Sequence, residues 1–106
     1  MRDLRGSITL DESPEGINQY SGAAAGKASA AAVKSDKGKD AEKGYALHMS
    51  AAREHTSAAK AATPAVAAWH KAMSLAHAHN GAARKAGREL PYKFGRNFGD
   101  NPRPTR

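Results

Sequence analysis

Five histidines are the side chains of this sequence best suited to chemistry near neutral pH: His48, His55, His70, His77 and His79. An imidazole can ligate a metal ion, move a proton or change its charge between about pH 5 and 8. On helices, the pairs His48/His55 and His70/His77 would each be separated by about 10 Å of axial rise, too far for two ligands of one ion. His77 and His79 fall on different helical faces. We therefore predict no metal site and assign the histidines to helix-packing faces, with a pH-sensitive interface left open.

Other reactive residue types form no recognisable catalytic pattern. The carboxylates are scattered, and the sequence contains no glycine-rich phosphate loop, no nucleophile elbow and no HExxH pattern. It also lacks cysteine, which removes disulfides, thiolate metal sites and cysteine nucleophiles. We expect a protein that is not an enzyme and carries no cofactor.

The elements that would position the histidines are helices rich in alanine, the residue of highest helix propensity. We predict a first helix over about 23–34 and a second from about Asp40 to Ala62, with Asp40 as its N-cap. Thr63-Pro64 predicts the start of a third helix over about 64–79, and Asn80-Gly81 predicts its end. A short fourth helix would cover about 82–90. Pro64 either kinks one long helix or turns a tight corner.

Apolar and histidine side chains recur at three- and four-residue spacing in the two longer helices, which places them on one face of each. His70 and His77 would flank the face of the third helix. We predict that these faces pack closely against a neighbouring helix, in the same chain or in another. The helix-packing residues are Tyr45, Met49, Val66, Trp69 and Met73.

Large apolar side chains are scarce in this chain of 106 residues. Alanine accounts for 24 of its apolar residues, whereas Leu, Ile, Val and Phe together number 11. Burial of a methyl group recovers much less free energy than burial of a Leu or Phe side chain, which contributes about 1.5–3 kcal/mol. We expect a fold that is marginal alone and is ordered by a partner. The expected class is all-α, with two or three alanine-rich helices, hairpin-like or kinked at Pro64, between extended arms.

Three regions follow from the composition: an extended N-terminal arm (1–21), the helical region (22–90) and a basic extended tail (91–106). The sequence shows no apparent signal peptide and no apolar run of the roughly 18 residues needed to span a membrane. We expect no membrane partner.

The arms hold the candidate partner-binding residues. Residues 84–106 carry seven Lys or Arg against two acidic residues, with spaced aromatic residues between them. Such a pattern suits either an acidic protein surface or nucleic acid, and the irregular Gly/Pro-containing tail favours the protein surface. The candidate anchors are Ile17, Tyr20, Tyr92, Phe94, Arg96, Phe98 and Arg103.

Two segments carry a resemblance to a known class of protein. The motif GINQY at 16–20, followed by a tract of small residues, and the Ala/His pattern AAREHTSAAK at 51–60 resemble small alanine- and histidine-rich structural proteins of tailed bacteriophages. The resemblance covers about residues 16–83, and Pro64 interrupts it. It implies a virion component, made in the host bacterial cytoplasm, that acts as a capsid decoration, cement or minor head protein.

From the resemblance and the arms we expect binding to a major capsid or other shell protein, as a homo-oligomer or in many copies per assembly. The alternative is a basic DNA-associated protein packaged in the particle. A third class, a regulatory inhibitor of a host enzyme, also fits a small protein of this composition.

Overall fold

A computed structural model of the protein describes residues 23–95 and 101–105. It is 73% helical over these residues, which confirms the all-α class. The described residues contain three helices, which are α1 (Ala23–Ser35), α2 (Ala41–Ala61) and α3 (Pro64–Ala86). The N-terminal arm, including Ile17 and Tyr20, lies outside the described residues.

Helix α2 begins where its sequence signal predicts. The Asp40 side chain accepts a hydrogen bond from the backbone N–H of Lys43 at 3.0 Å, which satisfies one of the amides left unpaired at a helix N-terminus. Glu42 in the first turn complements the positive end of the helix dipole.

Pro64 turns a corner between two antiparallel helices. Ala62 and Thr63 are both extended, with ψ angles of 159° and 160°, and Pro64 opens α3 at a position where its missing N–H breaks no helical hydrogen bond. The two longer helices therefore pack as a hairpin within one chain, and the kinked single helix is not formed.

The prediction that the third helix ends near residue 79 was wrong. α3 continues through Gly81 to Ala86, and no separate fourth helix follows it within 82–90. Gly81 is buried there, and a Cβ atom on it would lie 3.1 Å from the Cβ of His48 on α2. This glycine allows close approach of two helices and does not stop one.

The actual end of α3 is a glycine in the left-handed conformation, Gly87, with φ 69°. Its N–H donates to the carbonyl of Arg84 at 3.2 Å, and the Arg88 N–H donates to the carbonyl of Ala83 at 2.8 Å. These two bonds form a Schellman motif, which satisfies carbonyls at the helix end.

A small hairpin follows α3. Strands β1 (Tyr92–Lys93) and β2 (Arg103–Pro104) pair antiparallel, with Tyr92 opposite Pro104. Asn80 fixes this hairpin to α3, because its side chain both donates to the carbonyl of Tyr92 and accepts from the N–H of Tyr92, each at 3.0 Å. The described part of the tail therefore folds back onto its own bundle.

The core between the helices is built from small and polar side chains. Its buried apolar residues are alanines and a single methionine, Met73, in the described part of the chain. The other large side chains that are fully buried are polar: His48, His55, His70, His77, Asn80 and Ser29.

A buried histidine chain as the candidate functional site

Four histidines, one serine and one aspartate form a continuous line of hydrogen bonds through the middle of the bundle. We call this line the histidine chain; its order is His70, His55, Ser29, His77, His48 and Asp36. The four imidazoles and the serine are at most 1% exposed. The chain joins residues of all three helices and ends at the turn after α1.

Antiparallel packing of α2 on α3 brings the histidines together in pairs. His48 lies opposite His77, with their Nδ1 atoms 2.9 Å apart, and His55 lies opposite His70, with their Nδ1 atoms 2.7 Å apart. Seven residues are two helical turns, so each helix presents both of its histidines on one face. Residues too distant along one helix are thus neighbours between two helices.

Ser29 of α1 joins the two pairs into one chain. Its hydroxyl oxygen lies 2.7 Å from Nε2 of His55 and 2.8 Å from Nε2 of His77. The buried positions before and after it, Ala25 and Ala32, carry only methyl groups. These small side chains let α1 approach closely enough for a serine hydroxyl to reach both rings.

Asp36 and Arg84 lie at one end of the histidine chain, opposite His70. One carboxylate oxygen of Asp36 accepts from Nε2 of His48 at 2.8 Å and from Nη1 of Arg84 at 2.7 Å. The guanidinium also donates to the carbonyls of Ser35 at 2.8 Å and Asp40 at 2.9 Å. Arg84 therefore both neutralises Asp36 and binds one carbonyl where α1 ends and another where α2 begins.

A glycine on α2 makes room for this guanidinium. Gly44 is buried, and a Cβ atom at this position would collide with the guanidinium carbon of Arg84. The position of Arg84, and with it the ion pair to Asp36, depends on the absence of a side chain at residue 44.

When all four imidazoles are neutral, the ionised carboxylate of Asp36 sets the direction of every proton in the histidine chain. An ionised carboxylate only accepts, so His48 donates from Nε2 and its Nδ1 accepts from His77. Nε2 of His77 then accepts from the Ser29 hydroxyl, which accepts in turn from Nε2–H of His55. His70 completes the line by donating from Nδ1 to His55. All four imidazoles are neutral in this arrangement.

The same assignment of donors and acceptors accounts for one buried atom that has no partner. Nε2 of His70 is buried and has no hydrogen-bond partner in the described part of the chain. Since His70 uses its only proton on Nδ1, this Nε2 carries a lone pair and no hydrogen. It is the free acceptor end of a line whose donors all point toward Asp36.

Burial disfavours the charged form of three of these histidines, His55, His70 and His77. Desolvation, with a smaller contribution from His70, lowers the pKa of His55 from 6.5 to about 4. Desolvation, followed by the neighbouring charges of His48 and His55, lowers the pKa of His77 to about 3, and burial also lowers the pKa of His70. For Asp36, burial acts to raise the pKa, but the hydrogen bonds and charges of His48 and Arg84 outweigh it and lower the pKa below 3.8.

The ring nitrogens of the histidine chain form hydrogen bonds to one another. They are not arranged around a common centre. Within residues 23–95 and 101–105, no three His, Asp or Glu side chains are grouped in a way that could hold a metal ion. The arrangement suits proton storage and relay along a line.

The predicted helix-packing residues lie mainly at the edge of the core. Met73 is fully buried, whereas Tyr45, Met49, Val66 and Trp69 are half-buried. The centre of the interface lies about one residue before Tyr45 and Met49 on α2 and one residue after Trp69 on α3, where His48 and His55 face His77 and His70. His70 and His77 are therefore central and do not flank the packed face.

The candidate anchors of the tail have different surroundings. The Phe94 ring stacks on His77, with centroids 4.2 Å apart and planes at 16°, and Tyr92 is half-buried beside Asn80. Arg103 is exposed on β2. Arg96 and Phe98 lie outside the described residues.

Sequence reasoning missed Ser29, Asp36 and Arg84 as members of one site. The seven-residue spacing shared by the two histidine pairs is the signal that could have indicated it, because equal spacing on antiparallel helices allows both pairs to meet at once. No sequence signal connects Ser29 to the histidines, since the residues that it joins are 26 and 48 positions away.

No protein-family model, curated protein or solved structure matches this chain. None of the helices in the described residues has the length and apolar character needed to cross a membrane.

Proposed function

We propose that this chain is a non-enzymatic structural protein of a tailed-phage particle, a capsid decoration, cement or minor head protein that binds the shell protein in many copies. The observation that carries the proposal is a concentration of positive charge at one end of the helical bundle. The resemblance of residues 16–83 to phage structural proteins supplies the assembly in which such a surface would act.

The basic end, as we call it, consists of the end of α1 and its turn, the start of α2, the end of α3 and the following hairpin. Nine Lys and Arg residues lie there against four acidic ones, Asp36, Asp40, Glu42 and Glu89. The basic residues are Lys34, Lys37, Lys39, Lys43, Arg84, Lys85, Arg88, Lys93 and Arg103. Apart from Arg84, which is half-buried, all of them are exposed.

Such an end suits an acidic surface of a larger assembly. Complementary charge steers association and sets orientation, although each exposed ion pair contributes little free energy. Binding to repeated subunits compensates for weak single contacts, because simultaneous engagement of linked sites raises the overall affinity. In the described tail, Tyr92 and Phe94 pack on their own chain, so we assign the partner contacts there to Lys and Arg side chains.

The enclosure of the histidine chain supports a role without catalysis. Ser29, His55 and His77 are residue types used in nucleophilic catalysis, but each of them is 0% exposed. A serine that bridges two buried imidazoles has no open side from which a substrate carbonyl could approach.

The first experiment is mass spectrometry of tailed-phage particles purified from a lysate of the strain that encodes the chain. We expect the chain in stoichiometric amounts, in many copies per particle. Purified particles that lack it would overturn the proposal.

A second experiment tests the basic end itself. Genome-free shells from the same particles are sedimented with the purified protein, either wild type or carrying Lys37→Glu and Lys43→Glu. The matched control carries Lys60→Glu and Lys71→Glu, which are exposed positions away from the basic end. We expect loss of co-sedimentation only for the variant of the basic end.

The same basic end also favours the second candidate function, a DNA-associated protein packaged in the particle. Exposed Lys and Arg side chains neutralise phosphates without reading base sequence. If this function is correct, the chain binds duplex DNA with a log affinity that falls linearly with log salt concentration, and it does not sediment with genome-free shells. Shell binding without such DNA binding would reject it.

A further inference from the structure

Helix α1 contributes little apolar surface to the bundle. Its buried residues are Ala25, Ser29 and Ala32, so the side chains that it inserts between its neighbours are two methyl groups and one hydroxyl. Since hydrophobic stabilisation scales with the apolar area removed from water, this helix gains little from burial. Its attachment depends strongly on polar contacts.

Those polar contacts end on three histidines of α2 and α3 and on Arg84, which also donates to the carbonyl of Ser35 at the end of α1 at 2.8 Å. Ser29 bonds to His55 and His77, and Asp36, just after α1, bonds to His48 and to Arg84. The attachment of α1 is thus tied to the protonation state of three buried imidazoles.

We propose that the histidine chain is an acid-operated latch, which holds α1 on the α2–α3 hairpin at neutral pH and releases it when the chain takes up protons. This inference does not depend on the proposed function. It concerns the internal hydrogen bonds of the bundle, whereas the proposed function concerns its exposed basic end.

The latch opens because added protons change which groups donate and place charge inside the bundle. A first proton can reside on His55, which then donates from both nitrogens, to Ser29 and to His70, while His70 shifts its own hydrogen to Nε2. All bonds of the line survive, but a charge is buried and His70 has an unpaired N–H. A second proton on His77 makes both imidazoles donate to Ser29, whose own hydrogen then has no partner. Ser29 can accept both bonds, but two like charges then lie on either side of it and its own hydrogen is left unpaired, which destabilises the bridge that joins α1 to the hairpin.

Among the described groups that face these charges, the Asp36 carboxylate acts to raise the pKa of His77, but burial and the neighbouring charges of His48 and His55 outweigh it. From the turn after α1, the facing carboxylate is Asp36, which already pairs with Arg84 of α3. From α2 and α3, the facing titratable groups are the four histidines themselves, and from the hairpin after α3 the facing group is the ring of Phe94 on His77. Cations added to His55 and His77 would therefore repel each other without a new counter-ion among the described residues.

The α2–α3 hairpin has contacts that do not titrate. Met73 is fully buried, and the Ser74 hydroxyl donates to the carbonyl of Ala52 at 2.9 Å across the two helices. Thr56 and Ser74 also join α2 to α3 through their hydroxyl groups, 2.7 Å apart. We therefore expect α1 to leave before the hairpin opens.

The test uses pairs of spectroscopic labels on cysteines introduced into this cysteine-free chain. The latch pair, Lys27→Cys with Lys71→Cys, reports the distance from α1 to α3. The control pair, Lys60→Cys with Lys71→Cys, reports the hairpin alone, since both residues line one groove between α2 and α3. Label distances are measured by double electron–electron resonance in samples frozen at about pH 7.5 to 4.

We expect the latch pair to move apart and its distance distribution to broaden, with a midpoint between pH 6.5 and about 4, while the control pair keeps its distance. The release should be steeper than a one-proton titration, because two protons are needed to place like charges on both sides of Ser29. An unchanged latch pair down to pH 4 overturns the proposal. Simultaneous separation of both pairs also overturns it, since this would be unfolding of the whole bundle.

A variant links the transition to the histidines. The amide of His77→Gln can donate and accept hydrogen bonds but takes up no proton in this range, so the midpoint of the latch pair should move to lower pH. A midpoint that stays in place contradicts the assignment. If His77→Gln does not fold at pH 7.5, the label distances measured in the protein with its native histidines still decide the proposal.

Discussion

Ser29 gives the sharpest test of the histidine chain, because a single hydroxyl joins its two halves. The perturbation is Ser29→Ala, which removes the oxygen and leaves α1 its helical propensity. Nε2–H of His55 then loses its acceptor, and Nε2 of His77 loses its donor. Both atoms stay buried, so neither recovers a hydrogen bond from bulk water.

The expected cost follows from these two atoms. A buried polar group left without its partner costs about 1–3 kcal/mol. Two such groups would cost about 4 kcal/mol, reduced to about 3 kcal/mol if the rings shift slightly toward each other. Small domains have total stabilities of about 5–15 kcal/mol, so the loss is a large part of the total.

The assay is urea denaturation followed by far-UV circular dichroism at about pH 7.5. With a slope of roughly 1.5 kcal/mol per molar urea, the midpoint should fall by roughly 2 M. Ser57→Ala is the matched control, because Ser57 is an exposed residue of α2 and the change in helix propensity is the same. If the two variants unfold within about 0.5 kcal/mol of each other, the bridging role of Ser29 is refuted.

Two further predictions concern the charge and the space around the chain. Because the folded protein keeps His55 and His77 neutral, with pKa values of about 4 and about 3, the unfolded protein binds protons first as the pH falls below 6.5. Stability is thus full above pH 6.5 and declines below it, by roughly 3 kcal/mol per histidine at pH 4; an unfolding free energy that is constant from pH 7.5 to 4.5 would contradict this. Gly44→Ala should displace Arg84 from Asp36 and cost about 2–3 kcal/mol in urea denaturation, whereas Gly26→Ala, where a Cβ atom meets nothing within 4 Å, should be neutral or stabilising by up to about 1 kcal/mol. Equal effects of the two glycine substitutions would show that the space at Gly44 is not needed.

Much of the fold could be predicted because its signals are local. Asp40 caps α2, Thr63-Pro64 opens α3, and the alanine tract forms α1 as expected. Each of these features depends on the conformation of one residue or on hydrogen bonds within one helical turn. They act in the same way whatever the rest of the chain does.

The end of α3 was mispredicted because glycine has two roles: it can end a helix, and it can let another helix approach closely. Gly81 after Asn80 has the form of a helix stop, but Asn80 is used to hold Tyr92, and Gly81 is used to admit the backbone of α2. The left-handed glycine at Gly87 is the real stop. Local sequence does not distinguish a glycine needed for its φ angle from one needed for its lack of a side chain.

The candidate site was only partly accessible to sequence reasoning. The spacing of the histidines showed that the two histidines of one helix are too far apart to bind the same metal ion. It also placed each pair on one face of its helix. It could not show that His48 meets His77 or that His55 meets His70, because that depends on where the chain turns at Pro64. The shift of the packed face by about one residue decided whether apolar side chains or imidazoles occupy the centre.

By itself, the sequence determined an all-α chain with alanine-rich helices, a corner signal at Thr63-Pro64 and an excess of positive charge, since these depend on composition and neighbouring residues. Only the tertiary structure decided that the scarce large apolar side chains are supplemented by a buried line of imidazoles. The physical reason is that Ser29, Asp36 and the histidines are 12–48 positions apart along this line. Their hydrogen bonds exist only when three helices are packed at one spacing.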